Sequence, residues 1–324
     1  MGLPSLDWGS AVSAKLLIDP GAVRKLITHA NCADGLAAAI VARESCGPTL
    51  PIEFVAYGTE QHRTLTPEPG VVFADFSPHP DTVEAWLPFD PIVLDHHVHA
   101  RAIVASFPRG VFDNKQSGAL LLLAHLATFH SNNLARLAVL ADVRDRWVKE
   151  SQWWPAAQAQ ARVMMSLHRD VALALGSSGL RQFEDFGMYL AETERLRAAE
   201  VVSTLRRQPV GEFTVGVVAS GSALSSMIGD LAREQGFDLT ACFHLQEDPA
   251  TGRKSVVYSL RSSERIDCGA FAKWLGGGGH QRAAGFDVDF SYAQPDPWAF
   301  VFFKFRDWTW LDGSVGETPA GGAS

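Results

Sequence analysis

Ile92-Val93-Leu94-Asp95-His96-His97 decides the reading of this chain: a short, wholly apolar run that stops on an acid and two imidazoles. A run of that length and composition reads as a strand covered on both faces, the kind found in parallel sheets. An acid and two histidines at its end need a chemical reason, because such groups are seldom buried without partners. The same pattern recurs on either side. Lys25–Thr28 leads into His29 and then Cys32 and Asp34, and Val71–Ala74 leads straight into Asp75. Ile52–Tyr57 and Val111–Phe112 complete a set of five expected strands. Each acid taken alone is most simply a turn-former or helix cap. Several at successive strand ends are another matter, since the carboxyl ends of parallel strands converge on one crevice.

Between these strands lie helical stretches. Asp34–Glu44 is Ala-rich, Ser117 stands as an N-cap for an apolar helix over Gly118–Phe129, and a further helix is expected over Asn133–Trp147. Asp142 and Asp145 fall late in that last helix. From Pro155 to Arg207 the pattern is helical, over Ala156–Arg169 and Phe186–Arg207, with a break at Gly176-Ser177-Ser178-Gly179. Strands return at Phe213–Ala219, Leu239–His244 and Ser255–Leu260, with helices at Ala223–Gln235 and Asp267–Leu275. The expected organisation is α/β: a mainly parallel-sheet domain over residues 20–150, a helical connector over 151–208, a smaller α/β domain over 209–312, and a flexible tail over 313–324.

The 324 residues are more than one ordinary core accommodates, which suits two domains. With 47% hydrophobic and 20% charged residues, the composition is that of a globular enzyme. A net charge of −8 disfavours stable binding of long duplexes, which needs a broad basic surface. There is no apolar run of the roughly 18 residues a membrane span requires. Met1–Asp19 lacks the pattern of a signal peptide, and Leu6 stands where a myristoylation cue wants Ser or Thr. Cys32, Cys46, Cys242 and Cys268 show neither CxxC pairing nor disulfide-dense spacing, so a reducing cytoplasm is the expected compartment. The imidazole and carboxylate set suits Mn²⁺, Fe²⁺ or Zn²⁺ better than Ca²⁺.

Asp95-His96-His97, the upstream His29…Asp34-Gly35 and Asp75, and Gly276-Gly277-Gly278-Gly279-His280-Gln281-Arg282-Ala283-Ala284-Gly285 together resemble the motifs of the DHH–DHHA1 phosphoesterase superfamily. That group includes RecJ-like exonucleases, nano-RNases, pAp phosphatases and cyclic-dinucleotide phosphodiesterases. The resemblance runs from about Arg24 to Phe290. The triplet alone is a weak signal; the triplet followed by GGGH-x-x-AAG is specific.

Carried over by residue, the resemblance implies two divalent ions, Mn²⁺ first among them with Zn²⁺, Fe²⁺, Co²⁺ or Mg²⁺ as alternatives. His29 and Asp34 are implied as ligands, Asp75 as the carboxylate bridging both ions, and His96 and Asp142 as completing the second site. His97 would face the substrate phosphate and Asp95 would orient its imidazole, as the catalytic pair. Many relatives place an acid where this chain has Cys32. The sequence resembles an Asn-Cys-x-Asp-Gly branch, so Cys32 is either a thiolate ligand or a small packing residue. Asp145-Arg146-Trp147 resembles the Asp-x-Trp of that branch, so Asp145 is the alternative to the favoured Asp142. In the second domain Gly277, Gly278, Gly279 and His280 are implied as substrate contacts, with Arg282 and Arg261 as further phosphate donors.

The implied activity is hydrolysis of phosphodiester bonds in short oligonucleotides or small nucleotides by two-metal-activated water, as in an exonuclease or oligoribonuclease. A phosphatase acting on pAp or polyphosphate is the alternative within the same chemistry. A non-catalytic nucleotide-binding protein on the same scaffold is the alternative outside it. The expected partner is the substrate, with no membrane; oligomeric state is open, and a homodimer is compatible.

Overall fold

The computed structural model describes residues 16–128, 130–221, 224–247, 252–293 and 296–312. The chain divides into two compact units, residues 1–191 and 192–324.

The first unit runs β1 (Lys25–His29), α1 (Ala33–Cys46), β2 (Ile52–Val55), α2 (Glu60–Arg63), β3 (Val71–Ala74), α3 (Val83–Trp86), β4 (Ile92–Asp95), α4 (Arg101–Ala105), β5 (Gly110–Phe112), α5 (Gly118–His125), α6 (Asn132–Asp145), α7 (Trp154–Ser166) and α8 (Arg169–Arg181). Its five strands form one sheet in the order β2-β1-β3-β4-β5, and every pairing is parallel. The three strands whose ends carry the acids and histidines, β1, β3 and β4, are therefore neighbours at the sheet's centre. The chain leaves β1 for β2 on one side and returns to β3 on the other. The switch between β1 and β3 opens a crevice at their carboxyl ends, the place where open α/β sheets bind ligands.

Apolar side chains cover both sheet faces. Leu26, Val72, Ile92 and Leu94 pack with α1, α5 and α6, while Ile27, Phe73, Val93 and Trp86 form the core of the other face. Helix α1 is buried all along Asp34–Ala42, and its run of alanines lets α5 and α6 approach closely. The helices α7 and α8, in the stretch expected as a connector, pack on α1 and α6. The expected break appears as a kink: Gly176 has φ 62° and ψ −170°, and Ser177 donates from its hydroxyl to Glu44 Oε2 at 2.8 Å.

Helix α9 (Glu184–Ser203) crosses from one unit into the other. The second unit continues with β6 (Arg206–Val210), β7 (Phe213–Ala219), α10 (Ser225–Glu234), β8 (Leu239–Glu247), β9 (Lys254–Ser262), α11 (Cys268–Trp274), β10 (Gly278–His280), β11 (Ala283–Asp289), α12 (Phe290–Ala293) and α13 (Pro297–Asp312). Its sheet has the order β10-β11-β9-β8-β7-β6, and only β7 and β8 pair in parallel. Tyr258, Phe271, Phe286 and Phe305 centre its core.

Several expectations shift on the structure. The helix expected over Phe186–Arg207 ends at Ser203, and Arg206 and Arg207 begin β6 instead. The helix starting at Gly118 stops at His125. Ser117 makes no side-chain cap to it. The glycine run, expected as an open phosphate-approaching loop, is partly a strand, since Gly278–His280 pairs with Ala283–Gly285. The expected tail over 313–324 lies outside the described residues. Among the described residues no helix is long and apolar enough to cross a membrane.

Candidate metal centre

Asp75 follows directly on β3 and adopts a left-handed backbone, φ 60°, a conformation that Asp and Asn tolerate better than most residues. Its backbone N–H still donates to Leu94 O, and the turn aims the carboxylate across the ends of β1 and β4. Asp75 Oδ1 lies 3.0 Å from His96 Nε2, and Oδ2 lies 3.9 Å from His29 Nδ1. Glycines make this closeness feasible. A Cβ on Gly118 would stand 2.5 Å from the Asp75 backbone nitrogen, and one on Gly35 would stand 3.0 Å from the His29 carbonyl carbon. Gly35 thus lets α1 start against the end of β1, which places Asp34 in the crevice. The Asp34 carboxylate accepts from the Ala119 N–H at 3.3 Å, at the start of α5.

Three overlapping groups result: His29, Cys32 and Asp75; Asp75, His96 and His97; and Asp34, His96 and Asp145. Within each, one ligand atom per residue lies within 4.8 Å of the others. Asp75 and His96 each belong to two groups. Asp34 and Asp75 are buried at 1% and 0% exposure, so desolvation comes first and neighbouring carboxylates second in pushing both well above the usual carboxylate range. Burial, followed by the His97 charge, lowers His29 to about 4, which keeps its imidazole neutral and able to ligate. Burial of the Cys32 thiol and the charge of Asp75 push that group up, although the residue as a whole is partly exposed. His29 Nδ1 and Asp75 Oδ2 are buried and have no hydrogen-bond partner among the described residues. Unsatisfied buried polar atoms facing one another, on a donor set of imidazole, thiol and carboxylate, fit divalent cations of the Mn²⁺ or Zn²⁺ type.

Of the two acids on α6 that the sequence offers as ligands, Asp142 lies outside the three groups: Oδ1 accepts from the Ser117 N–H at 2.8 Å, and Arg146 holds both oxygens at 2.9 and 2.8 Å. Asp145, one turn further along α6, is the acid brought to the cluster, with Oδ2 3.4 Å from His96 Nε2. Its neighbour Trp147 is itself left-handed, φ 59°, and Arg144 lies over its ring at 4.2 Å.

Asp95 is walled in by donors. Oδ1 accepts from the backbone N–H groups of His96 and His97 at 2.7 and 3.0 Å and from His97 Nδ1 at 2.8 Å. Oδ2 accepts from the Tyr57 hydroxyl at 2.6 Å. Burial alone would raise this carboxyl, but the hydrogen bonds and charge of His97 and the bond from Tyr57 outweigh it, and the net shift is downward. Burial pulls His97 down, yet the bond and charge of Asp95 win and hold its imidazolium form above the usual range. Tyr57 went unremarked as a site residue in the sequence. It sits two residues past β2, is braced by the Ser77 N–H at 3.1 Å, and packs on Phe76. Its position after a strand in the same sheet was the one available signal.

The remaining expected site residues lie in the second unit, outside all three groups. His280 is exposed on β10, Arg282 is ion-paired with Glu264, and Arg261 donates to Leu260 O and Ser226 Oγ at 2.7 and 2.9 Å. Gly277 and Gly279 have packing reasons of their own: a Cβ would stand 2.5 Å from Phe286 Cβ and from Ala284 Cα, respectively. At Gly278 a Cβ would meet nothing within 4 Å.

A parallel sheet with this crevice, followed by a separate mixed sheet, is the architecture of a DHH domain joined to a DHHA1 domain. Known structures agree. The chain is similar to a pGpG-specific phosphodiesterase from Vibrio cholerae, at TM-score 0.54 and 14% identity, covering 87% of this chain and 99% of that one. It is equally similar to the DHH domain of a member of a family of ribosomal proteins, at TM-score 0.55 and 14% identity, over 88% and 87% of the two chains. RecJ from Thermus thermophilus, in complex with Mg²⁺, aligns at TM-score 0.47 and 15% identity over 87% of this chain and 50% of its own, too distant to carry weight. No family model matches the sequence, and no curated protein does. At this identity the likenesses show the fold alone.

Proposed function

We propose that this chain is a phosphoesterase dependent on divalent metal, hydrolysing phosphodiester bonds in short oligonucleotides or small nucleotides. The observation that carries the reading is the overlap of three ligand groups through Asp75 and His96 at the ends of adjacent parallel strands. His29, Cys32 and Asp75 would hold one ion, and Asp34, His96 and Asp145 the other. When bound, such ions supply Lewis acidity toward a phosphoryl oxygen and a water of lowered pKa.

The chain's own residues do the rest. Asp95 commits His97 Nδ1 to a hydrogen bond, so Nε2 is the nitrogen left to donate to a phosphoryl oxygen. The bond and charge of Asp95 favour the protonated ring, the form in which Nε2 donates. Tyr57 fixes Asp95 from behind and so fixes the ring.

The test is to strip the protein with EDTA, verify this by elemental analysis, and resupply Mn²⁺. A fold relative that acts on pGpG makes a dinucleotide the first substrate to offer. Longer RNA and DNA, pAp, cyclic dinucleotides and polyphosphate follow. Release of nucleoside monophosphate should disappear on stripping and return with Mn²⁺. Full activity in the metal-free protein would refute the reading, and release of inorganic phosphate alone would redirect it to a phosphatase.

A further inference from the structure

Three cavities of the first unit meet at Asn31, in the turn from β1 to α1. The first, about 250 Å³, is bounded by Cys32, Asp34 and Asp145 of the metal cluster and by Arg144 and Arg162. The second, about 290 Å³, shares Asn31 and Cys32 and is walled by Phe54, Met164, Met165 and Arg169. The third, about 630 Å³, shares Asn31, Phe54 and Arg169 and adds Arg43, Thr59 and Gln61. A continuous lining thus leads from the metal ligands to a cavity large enough for a nucleotide.

The chemistry along it changes in a definite order. Arginines stand beside the acids, then comes a flat apolar wall, then polar groups with two further arginines. Among the described residues neither Arg43 nor Arg169 has an ion-pair partner. Arg43 Nε donates to Leu50 O at 3.4 Å, and the Arg169 guanidinium lies over the Phe54 ring at 5.3 Å from its centroid. Of the acids in the same lining, Glu53 lies 2.7 Å from Lys25 Nζ, a lysine that Glu68 shares, and the Asp170 carboxylate is exposed to solvent. Four arginines thus line the path on a chain of net charge −8, each within reach of a ligand entering it. An aromatic ring stacked with a guanidinium is a platform for a nucleobase, and the arginines suit its phosphate.

We infer that this path is a nucleotide subsite of the first unit: it holds the second nucleotide of a short chain, base on Phe54 and Arg169 and phosphate toward Arg43, while the scissile phosphate lies at the metal cluster. The inference rests on the phosphoesterase reading and gives its substrate class, a chain of at least two nucleotides. Arg169 is exposed at the first position of α8, so its removal leaves the core intact.

The test measures binding and turnover separately. Isothermal titration of the EDTA-treated full-length protein with 5′-pApA compares wild type, Arg169→Ala and Arg43→Gln. Each variant should bind about tenfold more weakly, the loss of one charge-assisted contact. With Mn²⁺ added, KM for 5′-pApA should rise by about the same factor while kcat stays within about twofold, as for a contact made equally in ground and transition states. Equal affinity in all three proteins, or no wild-type binding at millimolar 5′-pApA, would overturn the subsite. Binding that depends on Arg169 without any hydrolysis would instead overturn the phosphoesterase reading and leave the nucleotide site standing.

Discussion

Asp75→Asn should stabilise the protein without metal and forfeit the further stabilisation that metal gives the wild type. Asn keeps the size of the side chain and is at ease in the left-handed backbone that Asp75 occupies. Its carbonyl oxygen can still meet His96. What disappears is a carboxylate at 0% exposure with one oxygen unpartnered, set among Asp34, Asp95 and Asp145. A buried charged group left unsatisfied costs about 1–3 kcal/mol or more. For a folding unit of this size each kcal/mol moves the melting temperature by about 2–4 °C. The metal-free variant should therefore melt about 2–12 °C above wild type at neutral pH. The sign with pH follows from linkage. The folded carboxyl of Asp75 is raised, so its contribution is fully present below the unfolded value near 3.8 and is lost as pH rises through the folded value. The variant's advantage should accordingly grow from acid toward neutral pH. Mn²⁺ at about 100 times its Kd adds about 2.7 kcal/mol to wild type, or roughly 5–11 °C, and little to the variant. Calorimetry of both proteins in EDTA and in Mn²⁺, with the transition of the first unit resolved, reads all of this. A metal-free wild type that melts above Asp75→Asn, or an equal Mn²⁺ shift in the two, would refute the reasoning.

Three further outcomes are expected. Gly118→Ala would drive a methyl group into the backbone of Asp75, so it should destabilise the first unit by about 1–3 kcal/mol and abolish the Mn²⁺ melting shift. Asp145→Asn should lower the Mn²⁺ bound per chain, whereas Asp142→Asn should retain the ions; elemental analysis of the two folded variants decides between these acids. Tyr57→Phe removes the 2.6 Å bond to Asp95 while keeping the ring, and should lower kcat about tenfold with metal content unchanged. Unaltered kcat would show that the hydroxyl has no part in holding His97.

The sequence determined the elements that end on chemistry. Val71–Ala74 is a strand with the expected bounds, Ile92–Leu94 extends by one residue, and the acids and histidines at their ends do gather. Local information suffices there, because an apolar run buried on two faces announces itself whatever its neighbours are. The second sheet was legible in the same way at Phe213–Ala219, while β6 and α13 were not. Arg206-Arg207-Gln208-Pro209 has no apolar face, and Phe300-Val301-Phe302-Phe303 is apolar on every side, so neither shows the period of its element. What only the tertiary structure decided is which of two acids on one helix faces the site. Asp142 and Asp145 are three residues apart, and at 3.6 residues per turn both point to much the same side of α6. The choice lies in how α6 is rotated against α5, where the Ser117 N–H and Arg146 take Asp142 and leave Asp145 to His96. Tyr57 and the glycines at 35 and 118 belong with it: their importance is a matter of distances to residues remote in the chain, and only packing sets those.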